Sequence, residues 1–163
     1  MLYKREEMKK LFLSILVILS FAVLGCKKHK NDIPAVGVSF NISNVGRWMA
    51  TTYDAQIYTS TNPISGDTIK LLGISGYYTD PKHLFNETFL LTTPYKTGVF
   101  NVSIGPSPND AYIVYNYLNQ DNEGISGTVT ITQLTATNAQ GYFNCVLSPN
   151  GWAITNGEFN LPL

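Results

Sequence analysis

Short stretches of alternating apolar and polar residues follow one another from Gly37 to the end of the sequence. They are rich in Val, Ile, Thr, Tyr and Phe, the residue types that favour strands. No window has the apolar repeat of 3.6 residues that is typical of a helix. Strands are predicted at residues 37–42, 47–58, 68–78, 87–92, 97–104, 111–117, 127–136, 140–148 and 152–161.

Turn-forming residues separate these stretches, as at Asn62-Pro63 and Pro149-Asn150-Gly151, and residues 121–124 are also predicted to be a turn. Short strands at this spacing favour an antiparallel sheet that folds into a sandwich or barrel. We therefore expect an all-β fold, a single antiparallel β-sandwich or barrel of about eight to ten strands over residues 37–163.

Alternation within single strands predicts which side chains face the core. Phe100, Val102 and Ile104 fall on one side of their strand and are expected to be buried together. The alternation changes phase near Gln133, which predicts a β-bulge there.

The N-terminus has the form of a signal peptide. Lys9 and Lys10 precede an apolar run over residues 11–25, which is shorter than the roughly 20 residues of a spanning helix. Residues 1–25 are therefore predicted to be a signal peptide. Met8 is a more natural start than Met1, because two glutamates precede it in what should be a basic region.

The end of the apolar run, Val23-Leu24-Gly25-Cys26, resembles the lipobox of bacterial lipoproteins. The resemblance implies that Cys26 is acylated and becomes the mature N-terminus, which would anchor the protein in the outer membrane of the cell envelope. Residues 26–36 then form the lipidated cysteine and a flexible tether. The alternatives are a plain secretory signal with a chance cysteine and an uncleaved N-terminal anchor.

The other cysteine, Cys145, is predicted to be a buried thiol. Phe143, Cys145 and Leu147 share one side of their strand, and free cysteine commonly packs as a small apolar residue. Once Cys26 is acylated, Cys145 has no partner for an intramolecular disulfide.

Charge argues against nucleic acid as a partner. Residues 26–163 contain seven Lys and Arg against nine Asp and Glu, a net charge of −2. Three of these seven cations, Lys27, Lys28 and Lys30, lie in the tether. The domain therefore has no basic stripe of the kind that binds nucleic acid.

Catalytic and metal-binding patterns are sparse. The sequence contains two histidines, His29 in the tether and His83, and lacks the common nucleophile, phosphate-loop, zinc and calcium motifs. Asp80, His83 and Glu87 form one charged cluster, which is predicted to be a solvated turn. We expect no cofactor, no metal and no enzymatic activity, with a degenerate hydrolase based on this cluster as an alternative.

Aromatic residues are the candidate binding surface. Aromatic faces beside amides suit the apolar faces and hydroxyls of sugars, although aromatic residues also fill β cores. Strand alternation places Tyr112 on the opposite side from Tyr115 and Tyr117. The candidate ligand-binding aromatics are Trp48, Tyr112, Tyr115, Tyr117 and Trp152.

Several short motifs follow one another along the chain: the lipobox, Gly46-Arg47-Trp48, residues 127–132, Gly141-Tyr142-Phe143 and residues 154–160. Their order resembles that in small β-rich lipoproteins of unknown function from Bacteroidetes. The resemblance implies an envelope location and an all-β domain, but no activity. Gly46-Arg47-Trp48 is also similar to the first motif of lipocalins. Asp67-Thr68-Ile69 resembles the O-glycosylation motif of this bacterial group, with Thr68 as the acceptor.

Together these observations predict an outer-membrane lipoprotein that acts as a non-enzymatic binding or envelope-interaction module. Its expected contacts are the membrane, through the lipid, and a glycan or another envelope protein. A lipocalin-like carrier of a small apolar ligand is the alternative from another class.

Overall fold

The computed structural model describes residues 36–61, 66–79 and 86–163. Within these ranges every regular element is a strand, which confirms the predicted all-β fold. No helix in the described part of the chain is long and apolar enough to cross a membrane. The ten strands are β1 (Gly37–Ile42), β2 (Gly46–Met49), β3 (Thr52–Thr61), β4 (Thr68–Thr79), β5 (Asn86–Pro94), β6 (Gly98–Asn101), β7 (Tyr112–Tyr117), β8 (Gln120–Leu134), β9 (Asn138–Ser148) and β10 (Ala153–Pro162).

The strands form one antiparallel sheet in the order β2-β1-β10-β9-β8-β7-β5-β4-β3, and β6 pairs with the later half of β8. The edge strands β2 and β3 are joined by only two residues, which span at most about 7 Å. Ala50 N donates to Val38 O of β1 at 3.0 Å and Thr51 N donates to Tyr77 O of β4 at 2.7 Å, so the link contacts the strands next to the two edges. The sheet therefore curls into a half-barrel.

Aromatic side chains fill the concave side of the curled sheet. The rings of Phe40 and Trp48 stack with centroids 4.6 Å apart, and those of Phe89 and Phe143 stack at 5.0 Å. Phe40 also meets the edge of Tyr115 at 5.8 Å. Each ring removes a large apolar area from water, so this cluster dominates the core.

Two aromatic rings lie directly over glycines on the neighbouring strand. Gly141 of β9 is opposite Phe159 of β10, and Gly157 of β10 is opposite Phe143 of β9. A Cβ atom at Gly141 would come within 2.5 Å of the Phe159 ring, and one at Gly157 within 2.6 Å of the Phe143 ring. These positions need glycine because the rings and nearby backbone oxygens occupy the space of a side chain.

The largest differences from the predicted strands lie at residues 50–51 and 118–124. The strand predicted at 47–58 is broken at residues 50–51, where the chain crosses from one sheet edge to the other. The turn predicted at 121–124 is wrong, because β8 begins at Gln120 and continues through these residues. The reversal lies at Leu118 and Asn119, whose φ angles of 51° and 61° suit a tight two-residue hairpin.

Most of the side chains predicted to face the core are buried. Cys145 is buried, and a register shift between Ile131 and Gln133 marks the predicted bulge. Phe100 and Val102 are buried, but Ile104 is 69% exposed, which contradicts the prediction for that residue. Strand β6 ends at Asn101, so its alternation no longer governs the direction of Ile104.

Candidate functional site

A buried tyrosine–glutamate pair lies on the concave side of the sheet. Tyr115 of β7 donates its hydroxyl hydrogen to Oε2 of Glu87 on β5. The two strands pair with Phe89 opposite Tyr115, and alternation along β5 sends Glu87 and Phe89 to the same side. Glu87 is only 4% exposed. The predicted solvated position of Glu87 is therefore wrong, because this residue belongs to the strand and its inner face.

Burial determines the electrostatics of this pair. Loss of water raises the pKa of Glu87, while the Tyr115 hydroxyl and the Trp48 indole lower it. The Trp48 Nε1 atom is itself buried and has no well-formed hydrogen bond among the described residues. Burial also raises the pKa of Tyr115, and its hydrogen bond to Glu87 adds to this increase. A carboxylate that is costly to bury thus lies in the interior beside the Tyr115 hydroxyl and the Trp48 indole.

The aromatic array continues from this pair toward the surface. Tyr115 stacks on Tyr117 with centroids 6.2 Å apart, and Tyr117 meets Trp152 edge-on at 5.5 Å. Tyr117 and Trp152 are half-buried, whereas Trp48 and Tyr115 are fully buried. We call Trp48, Glu87, Tyr115, Tyr117 and Trp152 the aromatic end.

Backbone and amide contacts hold Trp152 in place. The turn before it is closed by Leu147 N donating to Trp152 O at 2.7 Å and by Gly151 N donating to Leu147 O at 2.9 Å. Asn150 in the same turn donates from Nδ2 to Oδ1 of buried Asn122 at 2.8 Å. Asn122 in turn donates to the Tyr115 carbonyl at 3.2 Å. The amides therefore connect this turn to β7.

Tyr112 lies on the other side of the sheet, as the alternation predicts. Its hydroxyl donates to Oε1 of Glu123 at 3.2 Å. Glu123 also lines an open depression of about 280 Å³ on the convex side. Four of the five predicted aromatic residues therefore come together, and Tyr112 is separate. The depression is lined by Ile104, Asp121, Glu123, Ile125 and Ser148.

Other predicted site residues are only partly described. Cys26, the tether up to residue 35, Asp80 and His83 lie outside the described residues. Thr68, the predicted O-glycosylation site, is exposed at the first position of β4 and pairs with Thr61. Among the residues that the structure covers, no three His, Cys, Asp or Glu side chains are grouped to hold a metal ion.

Comparison with protein-family models, with curated proteins and with solved structures finds no match for this chain. The described residues form a curled antiparallel sheet of ten strands, with the aromatic end on its concave side.

Proposed function

We propose that the chain is an outer-membrane lipoprotein that acts as a non-enzymatic binding module and holds a glycan at the aromatic end. The observation that carries this proposal is the aromatic array, which extends from the buried Tyr115–Glu87 pair to the half-buried Tyr117 and Trp152. Half-buried aromatic faces suit the apolar faces of sugar rings, and nearby polar groups orient the hydroxyls.

The parts of this site have different roles. Tyr117, Trp152 and the Asn150 amide are the groups that a ligand can touch, since each retains exposure. Glu87 and Tyr115 lie behind them and hold the rings from the inside. A sugar hydroxyl both donates and accepts hydrogen bonds, so it matches an amide at the rim better than a purely apolar ligand does.

The two alternatives have less support. A carrier of a small apolar ligand needs an internal cavity, whereas the rings of Phe40, Trp48 and Phe89 contact one another inside the sheet. A hydrolase needs a nucleophile beside a base. Within the described residues, Glu87 meets the phenol of Tyr115 and the indole of Trp48, which favour a structural role for the carboxylate.

Binding is tested with the full chain in detergent, applied to an array of bacterial and host polysaccharides. At least one glycan should be retained, and Trp152→Ala should weaken its binding about two- to tenfold, because one stacking contact is worth roughly 0.5–1.5 kcal/mol. Tyr142→Ala is the matched control, since Tyr142 is a 44% exposed ring on the convex side of β9. Retention of no glycan, or an equal loss in both variants, would contradict the proposal.

The anchor is tested separately, by fractionating cells that express Cys26→Ala and by mass spectrometry of the wild-type N-terminus. The acyl chains are the proposed anchor, so the variant should leave the membrane fraction while the domain still folds. An unmodified Cys26 in the wild type, or a variant that stays in the membrane after a high-salt wash, would show that the anchor proposal is wrong.

A further inference from the structure

Strand β3 leaves one long edge of the sheet open. It pairs with β4 over ten consecutive residues without a register shift, and none of the other described strands pairs with its outer side. Three other strand pairs, β1–β10, β10–β9 and β8–β9, all contain shifts. A regular edge strand whose outer N–H and C=O groups pair with none of the described strands is a template for another strand.

The two edges of the sheet are protected differently. The opposite edge, β2, is only four residues long. It carries Arg47, whose Nη2 atom lies 3.9 Å from Oε1 of Glu158. Such short, charged edges resist pairing with other chains. Strand β3 contains no Lys, Pro or Gly, and Asp54 is its single charged residue. Ile57 on its concave side is 43% exposed. The usual devices that block strand addition are therefore missing from β3.

The sequence of the free part of β3 is compatible with antiparallel pairing to the same segment of a second copy. Tyr53 lies beside β1, with its ring 3.7 Å from the position that a Cβ atom would take at Gly37, and β3 also approaches β10. The segment considered for pairing is therefore the part of β3 after Tyr53, residues 54–60, with Ile57 at its centre. A two-fold axis through Ile57 would place Asp54 opposite Ser60 and Ile57 opposite Ile57. The carboxylates then stay apart, and each accepts a hydroxyl hydrogen from the other copy.

We propose that two copies of this chain pair antiparallel through residues 54–60 of β3, a homodimer contact that goes beyond the proposed glycan binding. The two-fold axis makes the contact self-complementary and closed, which a head-to-tail contact would not be. Seven residue pairs form a small interface, so the dimer is expected to be weak in dilute solution and favoured where the chains are concentrated.

The test uses Ile57→Cys in the full chain within envelope membranes, under mild oxidation. Cysteines that face each other across an antiparallel pair lie within disulfide range, so a species of twice the chain mass should form. Leu90→Cys is the matched control, because Leu90 is 41% exposed on β5, which has a paired strand on each side. We expect cross-linking of Ile57→Cys at least about tenfold faster than that of the control.

A second variant separates pairing from folding. Ile57→Lys places two like charges at the two-fold axis and should raise the dimer dissociation constant in detergent about tenfold, while Leu90→Lys leaves it unchanged. Both variants should keep the circular dichroism spectrum of the wild type. Equal cross-linking of the two cysteine variants, cross-linking only to a protein of another mass, or an unchanged dissociation constant in Ile57→Lys would overturn the proposal.

Discussion

Two tyrosine–glutamate hydrogen bonds lie three residues apart on β7, one on each side of the sheet. On the concave side Tyr115 donates to Glu87, and both residues are buried. On the convex side Tyr112 donates to Glu123 at 3.2 Å, and both residues are partly exposed. The chemical groups are the same, so the comparison isolates the effect of burial.

Burial changes what each bond does. Inside, water cannot replace a lost partner, and desolvation is the main reason that the pKa values of Glu87 and Tyr115 are raised. Outside, desolvation raises the pKa of Tyr112, with further contributions from the charges of Glu123 and Asp121, but water can still reach the pair. The inner bond should therefore be structural and the outer one nearly neutral for stability.

Removing the two hydroxyls gives the largest expected difference. Tyr115→Phe removes the hydroxyl donor of the buried Glu87 and should lower the free energy of unfolding by about 1–3 kcal/mol. Tyr112→Phe leaves Glu123 accessible to water and should cost less than about 0.5 kcal/mol. Chemical denaturation of both variants measures the difference, and equal costs would show that burial does not separate the two bonds.

Glu87→Gln extends the comparison to the pH dependence of stability. The folded state raises the pKa of Glu87 above its ordinary value of 4.5, so its protonated form is favoured in the fold. The resulting stability is present below pH 4.5 and is lost as pH rises through the folded-state pKa. Glu87→Gln should therefore flatten the decline of the free energy of unfolding over this range.

Glu123→Gln is the matched control for that measurement, because Glu123 accepts the hydrogen bond of the outer tyrosine. Denaturation curves at several pH values provide the test. A wild-type decline that persists unchanged in Glu87→Gln would assign the dependence to another group.

The last prediction compares the labelling of thiols on the two sides of β9 and expects the smallest effect on stability. Cys145 is buried, and burial raises its pKa to about 12, so a thiol reagent should label it only slowly in the folded protein. Val146→Cys places a thiol on the convex side, where Val146 is 37% exposed, and should add one rapidly labelled site. Labelling of wild-type Cys145 in the folded protein at the rate of the unfolded chain would contradict the placement of its side chain in the core.

The sequence predicts most of the fold, because alternation and turn residues are local signals. The strand at 37–42, the bulge near Gln133 and the buried Cys145 all follow from period-two patterns. The Leu118–Asn119 hairpin was missed because leucine rarely adopts a positive φ, whereas residues 121–124 have the composition of a turn. Tyr117 pairs with Gln120 across this hairpin, and this register depends on the other strands of the sheet as well as on the local sequence.

The candidate site is less predictable. The aromatic residues were found from composition, and alternation separated Tyr112 from Tyr115 and Tyr117. The partner of Tyr115 was missed, since Glu87 lies 28 positions away in sequence and next to charged residues that suggest solvent. A signal was available: Glu87 is in phase with Phe89 and Leu91, which are buried on the same side of β5.

The paired glycines and phenylalanines of β9 and β10 form a sequence signature. Gly141-Tyr142-Phe143 and Gly157-Glu158-Phe159 are two copies of the tripeptide G-x-F, and antiparallel pairing places the glycine of each opposite the phenylalanine of the other. A Cβ atom at Gly141 would also lie 2.2 Å from the backbone oxygen of Thr130, and one at Gly157 would lie 2.6 Å from that of Phe143. Both glycines are therefore required whatever ring lies opposite. Two G-x-F tripeptides separated by one hairpin are therefore a pattern with which distant relatives of this chain can be sought.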